Sequence, residues 1–451
     1  MPIQPHIFQY LLKSIQKYTD IDENLFLQSF DESPSTSILI NTNKIEPQFL
    51  DFELSNKVPW NNNGYYLSTR PQFYADPLFY AGAYYVMDSS SIFLEYILYQ
   101  INLSKNAIAL DIAAAPGGKS IILSHYLDET GFLYSNEVNY NRAKILNYNL
   151  AKWGKCNYIV TNNDSQVFQS AEQFFDAVLC DVPCTGSGLF RKFPEWANAF
   201  NDKLIQECVY RQRKILSNIF SSLKENGYLI YSTCSYTSEE NEDIAQFILQ
   251  NGFEIVDIQI PKEWGIIKTK YGIRFFPHLT SSEGFFYAVF QKKKHFSLNL
   301  NESKKNFHHS LKEIKFSEKA PFLEWINMKD FHSVYQWKNN YYLSNTKNKE
   351  IPSFNSLKLI SIGTKISDNL LPAPELALSN YLNKEIIPNI SLSRTEAQHF
   401  LKKEPLKINA EKKLYLMSYK NLGLGWAKVL ENRLNNYFPS EWRILKELPE
   451  N

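Results

Sequence analysis

The chain has 451 residues, 44 % hydrophobic and 21 % charged, which fits a soluble globular protein too long for one hydrophobic core; roughly two to four domains are expected. Its net charge of +1 conceals a division: residues 291–451 hold 26 Lys and Arg against 16 Asp and Glu, and residues 1–290 carry the opposite excess. No run approaches the ~18 apolar residues of a membrane span. The five cysteines lack paired Cys-x-x-Cys spacing and no signal peptide opens the chain, which argues against a zinc site and a disulfide scaffold and for reduced thiols in a cytoplasmic protein.

Taken in order, residues 1–30 contain PHIFQYLLKSI and ENLFLQSF, two short amphipathic helices by their apolar spacing. SILIN (37–41) alternates like a strand, and the aromatic, Gly- and Pro-rich stretch 58–98 ends in a helix after Ser89-Ser90-Ser91. Residues 1–100 therefore read as an α+β cap. From 107 the alternation is regular: AIALDI, helix 119–127, strand 132–138, helix 140–153, strands 157–164 and 177–181, helix 202–224, strand 228–235 and helix 239–250, the last opening on the capping pattern Ser238-x-x-Asn241. Strands 253–259 and 285–293 close the set. This order predicts an α/β, Rossmann-like domain over 101–295, with a mostly parallel sheet and its ligand at the carboxyl ends of the strands. HHSLKEIKF, YYLSNT and LKLISIGTKI suggest a small α+β unit over 296–375, and a boundary at Pro372 and Pro374 precedes a last unit over 376–451. The basic excess of this final third suits a polyanion, or equally a solvated lysine-rich surface.

The first strand runs into Ala113-Ala114-Ala115-Pro116-Gly117-Gly118-Lys119 and then a helix. The two glycines allow close backbone approach, and the helix start aims free N–H groups at a ligand. These residues alone match neither a dinucleotide fingerprint nor a phosphate loop and leave an ordinary βα turn open. Four acids fall at successive strand ends: Asp111, Glu137, Asp164 and Asp181. Glu137 lies 19 residues past Gly118, a spacing that suits a ribose diol. LCDVPCTGSGLFRK (179–192) carries Cys184 in a Gly-rich turn, and YSTCSYTSEENE (231–242) carries Cys234 at the next strand end. Adjacent strand ends converge on one pocket, so both thiols are expected to face the same ligand. Cys156, Cys180 and Cys208 are expected to pack as small hydrophobes.

AAAPGGK, the Asn136-Glu137 and Arg142 motif, DVPCTGSGLFRK and YSTCSxxxxENE, in this order, resemble the Nop/Sun family of RNA cytosine-5 methyltransferases. VPWNNNGYYL, ADPLFYAGAYYVMDSSS, RFFPHLTSSEGFFYAVFQK and LGLGWAKVLENRLNNYFPSEWRI resemble its bacterial RsmF-type ribosomal RNA branch, so the likeness spans nearly the whole chain. It departs from the family at Leu39, where an Arg is common, at Ala113, where a Cys is usual, and at Ser282, where the first Gly of a Gly-Glu-Gly stands.

The resemblance implies a seven-stranded S-adenosylmethionine-dependent methyltransferase core, a PUA-like RNA-binding tail and no metal. Residues Ala113 to Lys119 would hold the methionine end of the cofactor, Glu137 with Arg142 its ribose side, Asp164 its adenine, and Asp181 the reacting centre. Cys234 would add to C6 of cytosine, Asp181 would hydrogen-bond the base, and Cys184 would assist release. Phe190, Trp196, Arg191 and Lys192 are candidates to hold the base, or equally packing and solvated surface. The implied substrate is small-subunit (16S) ribosomal RNA, acted on by a monomer. The alternatives weighed are a transfer-RNA cytosine-5 methyltransferase, a DNA cytosine methyltransferase attacking through Cys184, and a non-catalytic ribosome-assembly RNA-binding protein.

Overall fold

A computed structural model describes residues 3–293, 311–314, 321–345, 357–368, 371–431 and 433–448. Among these, the strands form four sheets.

Helices α1 (Pro5–Gln16) and α2 (Glu23–Gln28) open the chain, α1 with Pro in its first turn and α2 with an Asp22 cap that accepts from the Leu25 N–H. Their apolar faces (Leu11, Ile15, Phe26) pack on Phe190, Phe200, Tyr236 and Phe276 of the central domain. An antiparallel sheet follows, built from β1 (Thr36–Ile40), β2 (Leu54–Lys57), β3 (Gly64–Leu67) and β4 (Tyr84–Val86) in the order β2-β3-β1-β4. Helix α3 (Pro77–Tyr80) precedes β4 and α4 (Ser89–Gln100) follows it. Leu39 is buried against the central domain and offers no group to solvent, in keeping with the loss of a cation there.

Five parallel strands make the centre: β5 (Ile108–Asp111), β6 (Phe132–Asn136), β7 (Tyr158–Thr161), β8 (Phe175–Asp181) and β9 (Leu223–Thr233), in the order β7-β6-β5-β8-β9. The chain winds outward from β5 through α5 (Gly118–Tyr126) and α6 (Tyr140–Trp153), then returns to β8 on the other side and continues through α7 (Asp202–Ile219) to β9. The winding reverses between β5 and β8, which opens a crevice at their carboxyl ends. After α8 (Glu242–Gln250), the strands β10 (Phe253–Ile255), β11 (Ile267–Lys268), β12 (Ile273–Phe275) and β13 (Phe285–Lys292) extend the sheet antiparallel beyond β9.

A second sheet of five short strands holds β14 (Lys312–Glu313), β15 (Ser333–Trp337), β16 (Asn340–Ser344), β18 (Thr364–Asp368) and β19 (Leu371–Pro372). Between β16 and β18 the chain leaves that sheet: β17 (Leu359–Ile362) pairs antiparallel with β7. The central sheet therefore has ten strands rather than the seven expected, and the stretch 296–375 is not a unit apart from it. The reason is at the edge: β7 would otherwise present a row of unpaired backbone groups. Of HHSLKEIKF, only residues 311–314 lie within the described chain.

The expected boundary at 375 falls inside α9 (Pro374–Ala377). Beyond it come β20 (Asn389–Ser391), α10 (Arg394–Lys402), which opens on a Ser393–Glu396 capping box, then β21 (Leu414–Tyr419), β22 (Leu422–Val429) and β23 (Leu434–Asn436). Phe400, Met417 and Leu424 of this last unit share one core with Ile38, Leu78 and Tyr84 of the N-terminal sheet. At the seam, the Lys44 ammonium donates to the carbonyls of Ala81 (2.8 Å), Lys152 (2.5 Å) and Leu378 (2.7 Å), one from each of three units.

Lys152 lies at the same seam, with Nζ buried, no hydrogen-bond partner among the described residues, and the Phe79 ring 3.8 Å away. Burial pushes its pKa down to about 7, against the usual 10.5. Between pH 7 and the usual 10.5 the unfolded chain binds this proton where the folded chain does not, so the lysine's penalty is full below pH 7 and fades as pH rises above it. Lys152→Met is expected to raise stability at pH 7. Its advantage over the parent should then shrink by up to about 1.4 kcal/mol per pH unit toward pH 9. Urea unfolding at pH 7, 8 and 9 measures this; an advantage independent of pH would show that Lys152 is charged in the fold.

Candidate active site

The crevice is built from four strand ends. Asp111 closes β5; its Oδ2 accepts from Ser120 at 2.7 Å, while its Oδ1 is buried with no partner among the described residues. Burial pushes this carboxyl up to about 7. The chain then turns through Ala113–Gly117 into α5. Gly117 has φ 118°, a left-handed conformation, and a Cβ there would meet Leu146 at 3.2 Å, so the turn requires glycine.

Asn136 at the end of β6 donates to the carbonyls of Ile112 (3.1 Å) and Asn163 (2.9 Å) and so joins the ends of β5, β6 and β7. Glu137 follows and is buried; its Oε1 accepts from the Asn139 N–H at 2.9 Å, and Arg142 approaches Oε2 at 3.6 Å. Arg142 also donates to Ala115 O at 2.7 Å, which ties the acid to the Gly-rich turn. Asp164 is not on a strand: it lies three residues past β7 and caps the short 3-10 segment Ser165–Ser170.

Asp181 ends β8. Lys119 Nζ reaches it at 2.9 Å and the Ser232 hydroxyl donates to it at 2.6 Å, so Lys119 is committed to this carboxylate. Beside it, the sulfurs of Cys184 and Cys234 stand 3.3 Å apart. Cys184 is pushed well above the usual thiol range, first by its hydrogen bond to Cys234, then by burial, and by the nearby charge of Glu240. The pair thus favours a proton held on Cys184 and donated toward Cys234.

Two cavities meet at this crevice. The larger, about 670 Å³, is lined by Ala113, Ala115, Glu137, Arg142, Asp164 and Asp181 together with both thiols. The smaller, about 220 Å³, is lined by Ala113–Pro116, Gly118, Lys119, Asp111 and Asp181, with Tyr85 and Met87 of the N-terminal unit as its far wall. Gly117 lines neither and turns toward α6 instead. A buried acid at the end of β6, small apolar side chains in the turn and an orphaned carboxylate oxygen fit a nucleoside linked to an amino-acid chain.

Of the residues left open between base contact and packing, Phe190 is fully buried against Phe200 and Arg191 is held in a buried ion pair with Glu283 at 2.8 Å, which makes both of them packing residues. Trp196 alone of the two aromatics reaches the larger cavity, and Lys192 is exposed to solvent. Ser238 does not cap α8; its N–H donates to Ser14 at 2.6 Å, and the helix starts at Glu242. Ser282 is accommodated by hydrogen bonds to Thr280 and the Glu283 carbonyl, whereas a Cβ on Gly284 would strike the Tyr236 ring at 2.2 Å. Cys156, Cys180 and Cys208 are buried, as expected for packing residues.

The residue sequence reasoning missed is Glu240. Wholly buried, its carboxylate accepts from the Thr185 N–H (2.9 Å) and hydroxyl (2.6 Å), from Ser235 (2.7 Å) and Thr237 (2.7 Å), and from Gln212 (3.1 Å). It bridges the residues next to Cys184 and those next to Cys234; its place in the ENE triplet was the only signal. Glu240→Ala is expected to leave several buried donors unpaired and to cost about 3 kcal/mol. Both thiols should then react faster with a disulfide reagent under native conditions. Thermal unfolding with timed thiol labelling checks this, and unchanged thiol reactivity would show that Glu240 does not set the pair.

Comparisons with known proteins follow the same layout. Residues 8–89 match the N-terminal domain of 16S rRNA methyltransferase RsmF, 98–291 match 16S rRNA methyltransferase RsmB/F, and 387–444 match the methyltransferase RsmF PUA domain. Ribosomal RNA small subunit methyltransferase F of Shewanella piezotolerans is 26 % identical over 97 % of both chains. The protein of that name from Pectobacterium carotovorum is 32 % identical over 52 % of this chain and 50 % of its own. Among solved structures, a methyltransferase homolog protein from Pyrococcus horikoshii is similar at a TM-score of 0.54 and 26 % identity, over 64 % of this chain and 99 % of its own. With the crevice, the cysteine pair and all three modules in register, the chain belongs to the RsmB/F family of S-adenosylmethionine-dependent rRNA methyltransferases.

Proposed function

We propose that this enzyme methylates C5 of a cytosine in small-subunit (16S) ribosomal RNA, acting as a monomer through a covalent bond between Cys234 Sγ and C6. The observation that carries the reading is the thiol pair, 3.3 Å apart beside Asp181, with Cys184 pushed up so that it keeps its proton. The Cys184 thiol stands where it can donate to a thiolate on Cys234. That thiolate adds to C6, and the C5–C6 electron pair makes C5 nucleophilic. Asp181, held between Lys119 and Ser232, accepts from the exocyclic amine of the base and orients the ring. S-adenosylmethionine supplies an electrophilic methyl group for C5. Loss of the C5 proton to solvent reforms the double bond and expels Cys234, whose sulfur is met by the Cys184 thiol.

Glu137 would hold the ribose hydroxyls and Asp164 the adenine. Arg142 would steady both Glu137 and the turn Ala113–Lys119 around the methionine end, where the free Asp111 oxygen suits a cationic amino group. The target nucleotide must be unstacked for a thiol to stand over C6.

Cys234→Ala is expected to abolish methyl transfer and the protein–RNA adduct, and Cys184→Ala to accumulate the adduct. Incubation with unmodified 16S rRNA, labelled S-adenosylmethionine and denaturing gels read both; adduct lost only in Cys184→Ala would assign the attack to the other sulfur. Transfer to tRNA instead of 16S rRNA in the same assay would overturn the substrate, and absence of transfer to either, or to the subunit, would favour an assembly role. Asp181→Asn is expected to lower kcat about 100-fold or more with a small effect on the KM for RNA.

A further inference from the structure

Helix α7 lies outside every motif that carries the proposed chemistry, yet it forms one wall of the larger cavity. Its run along the cavity is fixed at two points. Asn218 donates to Ser165 Oγ at 2.9 Å, beside Asp164, and Gln212 donates to Pro183 O at 3.2 Å, beside Cys184. Between and just before these anchors, Glu207, Tyr210, Arg211 and Lys214 fall three and four residues apart and turn to the cavity. Tyr210 is 73 % exposed. Arg211 and Lys214 are exposed, and neither enters an ion pair among the described residues; the acid of this face, Glu207, is 3.9 Å from Lys203. On the same cavity, Trp196 is 44 % exposed, stacks on Phe193 with ring centroids 4.7 Å apart, and lies against Gly186, two residues from Cys184.

A ring that served packing would be buried, and cations that served stability would be paired. An open ring beside two free cations, at the lip of a pocket with a nucleophilic thiol, instead matches what a single strand of nucleic acid requires: a flat face for a base and positive charge for the phosphates around it. We propose that the Tyr210–Arg211–Lys214 edge of α7 grips the single-stranded RNA adjoining the target nucleotide, Tyr210 stacking a neighbouring base and the two cations taking phosphates. This rests on the reading of the crevice as the methylation site.

The test uses the full chain and a labelled single-stranded nonacytidylate, titrated at several salt concentrations. Arg211→Gln/Lys214→Gln is expected to weaken binding about tenfold and to reduce the slope of log affinity against log salt by about 1.4, the value for two phosphates on a single strand. Tyr210→Ala is expected to weaken binding by a similar factor and leave the slope alone. Affinity for S-adenosylmethionine, measured by calorimetry, should stay within twofold in all variants, as should the unfolding midpoint. An unchanged salt slope in the double variant would overturn the proposal, as would a loss of cofactor affinity equal to the loss of RNA affinity. Failure of the methylation chemistry would appear separately, as no methyl transfer by the parent enzyme with nonacytidylate binding intact.

Discussion

The site depends on the register of one parallel strand pair. β8 and β9 align Asp181 with Ser232, so both strands end at the same level and the turns that follow them face each other. A shift of one residue would send these side chains to the opposite face of the sheet. With the register set, Ser232 can donate to Asp181, the Gly188 N–H can donate to the Cys234 carbonyl at 2.9 Å, and the two sulfurs meet although 50 residues separate them. Glu240 then holds the two turns together from beneath. Its donors come from both loops, so neither turn keeps its geometry without the other.

A second layer supports the turns from behind. Glu242 takes Arg274 in a buried bidentate pair at 2.7 and 2.5 Å, and Arg191 takes Glu283 where the chain passes close enough for Gly284 to donate to Gly188 at 3.0 Å. Buried ion pairs add little net stability, but breaking one leaves a charge stranded, so they penalise alternative loop arrangements strongly. α1 and α2 close this layer: Phe26 packs edge-on to Tyr236, and Ser14 receives the Ser238 N–H. The N-terminal helices therefore belong functionally to the cysteine turns rather than to the sheet that follows them in the chain.

What was legible in the sequence was what local pattern determines. The βα alternation, α6 to the residue, the strand-end acids other than Asp164 and the two turns with their cysteines all follow from apolar spacing and punctuation. The rest depended on contacts that periodicity does not carry. β17 looks like any short strand, and only the exposed edge of β7 explains why it joins the central sheet. Phe190 and Arg191 sit in a motif that reads as exposed and basic, but the N-terminal helices and Glu283 bury them. Glu240 reads as a helix-opening acid, yet its carboxylate is taken by a hydroxyl from 55 residues upstream as well as by two from its own turn, and the helix begins only after it.

The same reasoning fixes the position of the basic tail relative to the crevice. The N-terminal sheet and the last unit share a single core, so the tail is not a tethered appendage. α6 completes the connection: it starts just after Glu137, and its last turn offers the Lys152 carbonyl to Lys44 and the Trp153 carbonyl to Asn41, while the Gly154 carbonyl accepts from the Asn380 N–H at 3.0 Å. One helix thus runs from the acid at the crevice to the point where all three units are joined. Side chains at such a junction have little freedom to move without breaking buried hydrogen bonds. The last unit is therefore held at a set distance and angle from the crevice.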